Sequence, residues 1–360
     1  MNNTSLPKAG LVAMLVVILA IGGWELYLRS KGIAITYDDG PELWSEKRRQ
    51  VYLPADRATV FIGSSRNKFD IDIDTWEQLT GEKALQLAEE GSSPRPILHD
   101  LAMDPKFRGK LMIDVTEPMF FSPGRQVNID PDEDVHYYKT QTPAQRAGFL
   151  INTVLESQFT FLDKNYLSLH NLIEQKSTLK NRPGVFTMPY PCPIEFNRVS
   201  FDRQDIMTQA FETDTALQNH QVAIWNFYRS LGPKGPLPSG LSDSISLVVK
   251  QDVDAIVKRG GTVIVVRSPS SGPNWKGEQM GFPRPQYWDK LLTVTRSKGI
   301  HFADYPAISG FICPETSHLK RSDAVIYTKE LIRILSTEKG WSFPFAPKST
   351  TLTYTAGHGL

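Results

Sequence analysis

Val60-Phe61-Ile62-Gly63-Ser64-Ser65-Arg66 reads as a buried strand that stops abruptly. Four apolar or β-favouring residues, Thr59 to Ile62, run into a glycine that tolerates backbone angles closed to other residues, and two hydroxyls and a cation follow at once. In an open α/β sheet, ligands gather at the carboxyl ends of the strands, so this turn carries Ser65 to the edge where chemistry is done. An ordinary strand-to-turn serine is the competing reading, and partners elsewhere in the chain must decide between them.

Outward from this turn, strand and helix alternate. Ala84 to Ala88 reads as a second strand ending in Glu89-Glu90-Gly91-Ser92-Ser93-Pro94. Ser93 and Pro94 suit the start of the helix that follows, and the preceding glycine leaves N–H groups free for an anion. Leu111 to Val115 is a third strand, closing in Thr116-Glu117-Pro118. Residues 122 to 240 break the alternation and read as a helical insertion. It holds an acidic loop at Asp130 to Asp134, helices over Pro143 to Glu156, Asn165 to Gln175 and Gln209 to Leu231, and a proline-rich passage from Arg182 to Pro193. The pattern then resumes with a helix from Ser242, a β-branched strand Thr262 to Val266 leading to Arg267, a helix from Pro283, a short strand at Ile300 and a closing helix from Ser322. The tail after Trp341 is polar and glycine-containing and is expected to be poorly ordered. The expected divisions are 1–31, 32–121, 122–240, 241–338 and 339–360.

From Ala9 to Trp24 every residue is apolar or glycine, about the 20 residues a membrane helix needs. Trp24 and Tyr27 fall where an interfacial belt would sit, with Arg29 and Lys31 beyond. A cleavable signal ending at Ala20-Ile21-Gly22 is the competing reading. The short leading tail favours a single-pass anchor with the large domain exported, periplasmic or otherwise extracytoplasmic. With 40 basic and 39 acidic residues the formal charge is +1, which gives no electrostatic case for nucleic acid. Asp70, Asp72 and Asp74 lack the spacing of a calcium loop, and no cofactor or metal motif occurs. Cys192 and Cys313 lack zinc spacing; in an exported protein they are expected to form one disulfide, tying the insertion to the loop before His318.

That loop is Cys313-Pro314-Glu315-Thr316-Ser317-His318-Leu319. A carboxylate three residues ahead of a histidine can fold back to hold one ring nitrogen while the other faces a nucleophile. His301 with Asp304 is the rival pair, in the opposite order.

The order of these pieces resembles the SGNH (GDSL-like) hydrolase superfamily. Gly63-Ser64-Ser65 stands for its first block, Gly91 for its second and Glu315-Thr316-Ser317-His318 for its last. The resemblance covers about residues 55 to 120 and 240 to 335. It implies a three-layer α/β/α fold around a parallel, flavodoxin-like sheet, with Ser65 as nucleophile, His318 as base and Glu315 orienting it. The N–H groups of Ser65 and Gly91 would face the oxyanion, with Ser92 alongside. The Ser-Arg form of the first block and the membrane segment are similar to envelope branches that hydrolyse or transfer acyl groups on carbohydrate polymers. The expected function is therefore a membrane-anchored serine esterase or O-acyltransferase acting on an acylated glycan or acyl donor. A silent relative that binds glycan, or serves as a scaffold for envelope assembly proteins, is the alternative.

Two departures bear on this. Glutamate stands where aspartate is usual, so Glu315 must fit one more methylene. The third block, Gly-x-Asn-Asp, is absent, and Asp114-Val115-Thr116-Glu117 occupies its place. Arg66 or Arg267 would then be a third, charged donor; a structural ion pair is their competing role.

Overall fold

In the computed structural model, residues 5–167, 173, 192–231 and 237–345 are described. The chain divides into two units: residues 1–46 with 133–235, and residues 47–132 with 236–360.

The larger unit is α/β. Its sheet comprises β1 (Ala58–Ile62), β2 (Lys83–Gln86), β3 (Lys110–Asp114), β6 (Thr262–Arg267) and β7 (Lys298–His301), in the order β2-β1-β3-β6-β7, with every pairing parallel. Parallel strands must be buried on both faces, which is why β1 and β3 are buried at every position. On one face Phe61, Met112, Ile264 and Ile300 join a core with Trp76 of helix Ile73–Thr80 and Leu331 of helix Arg321–Thr337. The alternate residues Val60, Ile62, Leu111, Ile113 and Val265 turn to the other face and are also buried. Helices Arg95–Met103, Leu241–Lys258 and Trp288–Thr295 form the second group, the middle one packing on each of the others.

The chain leaves β1 for one side of the sheet and returns with β3 on the other, so the crevice between the ends of β1 and β3 is a topological switch point. Gly63 permits the tight turn there: a β-carbon would lie 2.8 Å from the β-carbons of both Asn67 and Asp114. Gly63→Ala is expected to cost about 1–3 kcal/mol through that overpacking, read as a lower midpoint of thermal unfolding; an unchanged midpoint would show that the turn can open without penalty.

Several sequence expectations need correction. Phe343 is buried edge-on to Trp76, Lys110 donates to Ser342 O at 2.7 Å, and Phe345 N–H donates to Thr80 O, so the chain stays packed as far as residue 345 because its aromatics complete the core edge. Residues 346–360 lie outside the described residues. Gly272–Gly281 is a helix, hidden in sequence by its glycines and proline.

The acidic stretch expected as a loop forms the helix Ile129–Thr140, of which residues 133–140 belong to the smaller unit, with Asp130 and Asp132 in its first turn, where carboxylates suit the helix N-terminus. Helix Pro143–Glu156 stands as expected, opened by a reciprocal capping box between Thr142 and Gln145. The helix expected over 209–231 breaks into Gln209–Thr213 and Thr215–Leu231. The unit also contains an antiparallel hairpin of β4 (Asn197–Val199) and β5 (Asp205–Met207), and Tyr37 N–H donates to Val199 O beside it. Of the helix expected over 165–175, residues 168–172 and 174–175 lie outside the described residues; so do 182–191 of the proline-rich passage and the Gly232-Pro233 stop. Ser5–Ser30 is one helix, and its Leu6–Ser30 span is long and apolar enough to cross a membrane.

Candidate active site

The site forms at the carboxyl edge of the sheet. Helix Ser65–Asp70 begins directly after Gly63-Ser64. Half-buried Ser65 is its first residue, with the helix N-terminal N–H groups about it. The nucleophile candidate thus has a fixed backbone and some access to solvent.

His318 and Glu315 lie behind it, 2 % and 0 % exposed. His318 Nε2 is 2.8 Å from Ser65 Oγ, and its Nδ1 is 2.9 Å from Glu315 Oε1. Glu315 Oε1 also accepts the main-chain N–H of His318 at 2.7 Å. One carboxylate oxygen therefore fixes both the loop and the ring, and the extra methylene of glutamate is absorbed by this fold-back. With a carboxylate at Nδ1 the proton resides there, leaving Nε2 to accept from the Ser65 hydroxyl. Phe69, one turn after Ser65 on the same helix, stacks on the imidazole at 4.4 Å between ring centroids.

The histidine loop is braced from both sides. Asp70 Oδ1 accepts Leu319 N–H at 2.9 Å, Ser271 Oγ accepts Cys313 N–H at 3.0 Å, and Thr316 O accepts Ser271 N–H at 3.1 Å. These ties hold Thr316 at φ 76°, a left-handed conformation unusual for a β-branched residue and costing about 1–3 kcal/mol. Strain of that kind persists where surrounding bonds over-determine the backbone, as they do here. Burial raises the Asp70 and Asp114 carboxyls above their ordinary range, most strongly Asp70.

No protein-family model and no curated protein matches the chain. The site must therefore be read from its own geometry.

Arg66 and Arg267 are both held in buried ion pairs, with Arg66 Nη1 left without a hydrogen-bond partner among the described residues. Arg66 pairs with Glu278 and donates from Nε to Ser317 Oγ at 3.3 Å. Arg267 pairs with both Glu117, at 3.1 Å, and Glu278, while Ser270 Oγ donates to Glu278 at 2.7 Å. Two cations and two carboxylates thus neutralise each other in a buried cluster joining the ends of β1, β3 and β6. Burial would raise the Glu278 carboxyl, but Arg66 and Arg267 hold it down to about 2. Burial likewise disfavours the Arg267 cation, and Glu117 and Glu278 more than restore it. Of the two roles expected for these arginines, the ion pair is the one the contacts show.

The Glu89–Gly91 loop is tied to the Ser65 helix, with Lys68 bound to Glu90 at 2.6 Å and Glu89 N–H donating to Gly63 O at 3.2 Å. Gly91 takes φ +62°, and among the described residues neither its N–H nor that of Ser65 donates a hydrogen bond. Ser92 is buried and its hydroxyl donates to Glu90 O at 3.0 Å, closing its own turn. At the place of the absent asparagine, Thr116 Oγ1 lies 2.8 Å from Ser64 Oγ.

The expected disulfide would join residues of the two units; Cys313 packs inward with the core of the larger one, and Cys192, in the smaller, is exposed. Burial, with Asp70 and Glu315 nearby, raises the Cys313 thiol well above its ordinary range. The rival pair is not assembled: Asp304 is gripped by Arg284 at 2.5 and 2.8 Å, and His301 Nδ1 accepts Ala303 N–H. Burial and the cations Arg267 and Arg284 lower the His301 ring to about 3, keeping it neutral. Among the described residues no cluster of three or more histidine, cysteine or carboxylate side chains is arranged for a metal.

Proposed function

We propose that the chain is a membrane-anchored serine esterase or O-acyltransferase of SGNH type, its large domain exported, acting on acyl esters, acetyl among them, of an envelope carbohydrate. The observation that carries this reading is the continuous chain from Ser65 Oγ through His318 to Glu315, with contacts of 2.8 and 2.9 Å. Ser65 Oγ attacks the acyl carbonyl while its proton passes to His318 Nε2, and Glu315 stabilises the imidazolium through Nδ1–H. The oxyanion takes the N–H groups of Ser65 and Gly91, each such donor worth about 2.7–4 kcal/mol of barrier. Collapse expels the sugar oxygen, which takes the proton back from Nε2. Water or another sugar hydroxyl, deprotonated by His318, then displaces the acyl group from Ser65.

The alternative, a silent glycan-binding or scaffold protein, draws on threonine standing where an asparagine donor is usual. Fluorophosphonate labelling of the full-length chain, wild type against Ser65→Ala and His318→Ala, separates the two. Catalysis requires labelling of the wild type and its loss in both variants; a folded wild type that stays unlabelled would favour the silent reading.

A further inference from the structure

Helix Pro143–Glu156 is amphipathic the wrong way round for a helix in water. Its buried residues are Phe149 and Glu156, with Thr153 partly covered. Leu150, Ile151, Val154 and Leu155 are 43 to 65 % exposed. At about 100° per residue, these four and Ala144, Ala147 and Gly148 fill an arc of roughly 160° broken by no polar side chain. Gln145, Arg146, Asn152, Thr153 and Glu156 take the other side. Gln145, Arg146 and Asn152 are exposed as well, so the helix rests on the protein chiefly through Phe149 and Glu156 and leaves its whole apolar arc uncovered.

What that medium is follows from the segment just beyond the helix. Residues 158 to 166 are clasped to the last turns of the apolar Ser5–Ser30 helix. Arg29 donates from Nη2 to Gln158 O at 2.5 Å, the Glu25 carboxylate accepts the N–H groups of Thr160 and Phe161 at 3.2 and 2.9 Å, and Trp24 Nε1 donates to Tyr166 O at 3.3 Å. Trp24 and Tyr27 stack at 5.3 Å on that same stretch, the pairing of amphipathic aromatics favoured at a bilayer surface. Exposed Phe159 continues the apolar face across the junction. Pro143–Glu156 is therefore joined, through the segment that directly follows it, to the end of the apolar helix that carries the aromatic pair.

We infer that Pro143–Glu156 is an interfacial helix whose Leu150, Ile151, Val154 and Leu155 enter the bilayer at the boundary of headgroups and acyl chains. At 14 residues it is about 21 Å long, too short to cross a hydrocarbon core of about 30 Å, and a polar side with Gln145, Arg146 and Asn152 exposed opposite the apolar arc suits a helix lying along the surface. The occupant is lipid, because the segment that follows the helix is bonded to the end of the N-terminal helix, whose Leu6–Ser30 span is long and apolar enough to cross a membrane. The inference rests on reading that helix as a membrane anchor, and is independent of the serine chemistry.

Full-length protein carrying Cys192→Ser, with single cysteines at Val16, Ile151 or Val154, would be spin-labelled and placed in phosphatidylcholine–phosphatidylglycerol nanodiscs. All three substituted side chains are exposed, so the fold is not at risk. Collisions with oxygen and with an aqueous nickel chelate report depth. The expected result is loss of chelate access and gain of oxygen access at 151 and 154 as well as at 16. Chelate access at 151 and 154 with lipid exposure at 16 would overturn the inference and leave the anchor standing. Protection from both reagents with label–label broadening would assign the face to a second copy of the chain, also overturning it. Chelate access at all three would remove the anchor and the inference together.

Discussion

Glu315→Gln should slow acylation of Ser65 by up to about 10⁴-fold while leaving the histidine loop in place. The reasoning starts from one atom: Glu315 Oε1 accepts both the main-chain N–H and the Nδ1–H of His318. An amide oxygen can keep the main-chain bond, so the loop need not open. Gone is the negative charge that stabilises the imidazolium as the serine gives up its proton. Should the amide turn its NH2 toward Nδ1, the ring proton would move to Nε2, which could then only donate to Ser65. Glu315→Asp is a useful partner, because it keeps the charge and withdraws the reach by one methylene. Second-order rates of fluorophosphonate labelling, with thermal unfolding as the control for folding, measure both. An unchanged rate in Glu315→Gln with an intact fold would reduce Glu315 to a brace for the loop.

Glu278→Ala should be the most destabilising single change in the larger unit, at about 3–5 kcal/mol, because removing one partner strands buried charge. Arg66 would lose its carboxylate, and Arg267 would keep only Glu117. Denaturant unfolding measures the loss; a cost below about 1 kcal/mol would put the cluster in the range of solvated surface pairs. The pH dependence has a definite sign. The folded carboxyl at about 2 lies below its ordinary 4.5, so its contribution is fully present above about pH 4.5 and is lost as pH falls through about 2. Wild type should therefore lose stability across that window by more than Glu278→Gln does.

The parts of the site legible in sequence are those whose signal is local. Gly63-Ser64-Ser65 ends a strand, and Glu315 lies three residues before His318, so the contact within each piece is written into adjacent positions. Sheet membership is legible for the same reason: β3 and β6 carry unbroken apolar runs at their centres, Leu111 to Ile113 and Val263 to Val266. The Arg66–Glu278 pair spans 212 residues, and no spacing rule connects its ends. Sequence leaves the two arginines open between donor and ion pair because it shows a charge but not the carboxylate beside it. Phe69 and Asp70 were missed although they follow Ser65 on one short helix, since their value depends on a loop 249 residues away, counted from Asp70 to Leu319. The outward-facing apolar side of Pro143–Glu156 was equally hidden: periodicity announces an amphipathic helix but does not say which side meets the core.

The distance in sequence between Ser65 and His318 has a further meaning during synthesis. The two residues are 253 positions apart, and at about 5–20 residues per second the serine precedes its base by tens of seconds. Glu278 also comes 212 residues after Arg66, so neither the nucleophile nor the cation beside it finds its partner until most of the chain exists. On the proposed reading, a growing polypeptide thus carries an ordinary serine until the loop bearing Glu315 and His318 has been made and can reach the helix that begins at Ser65.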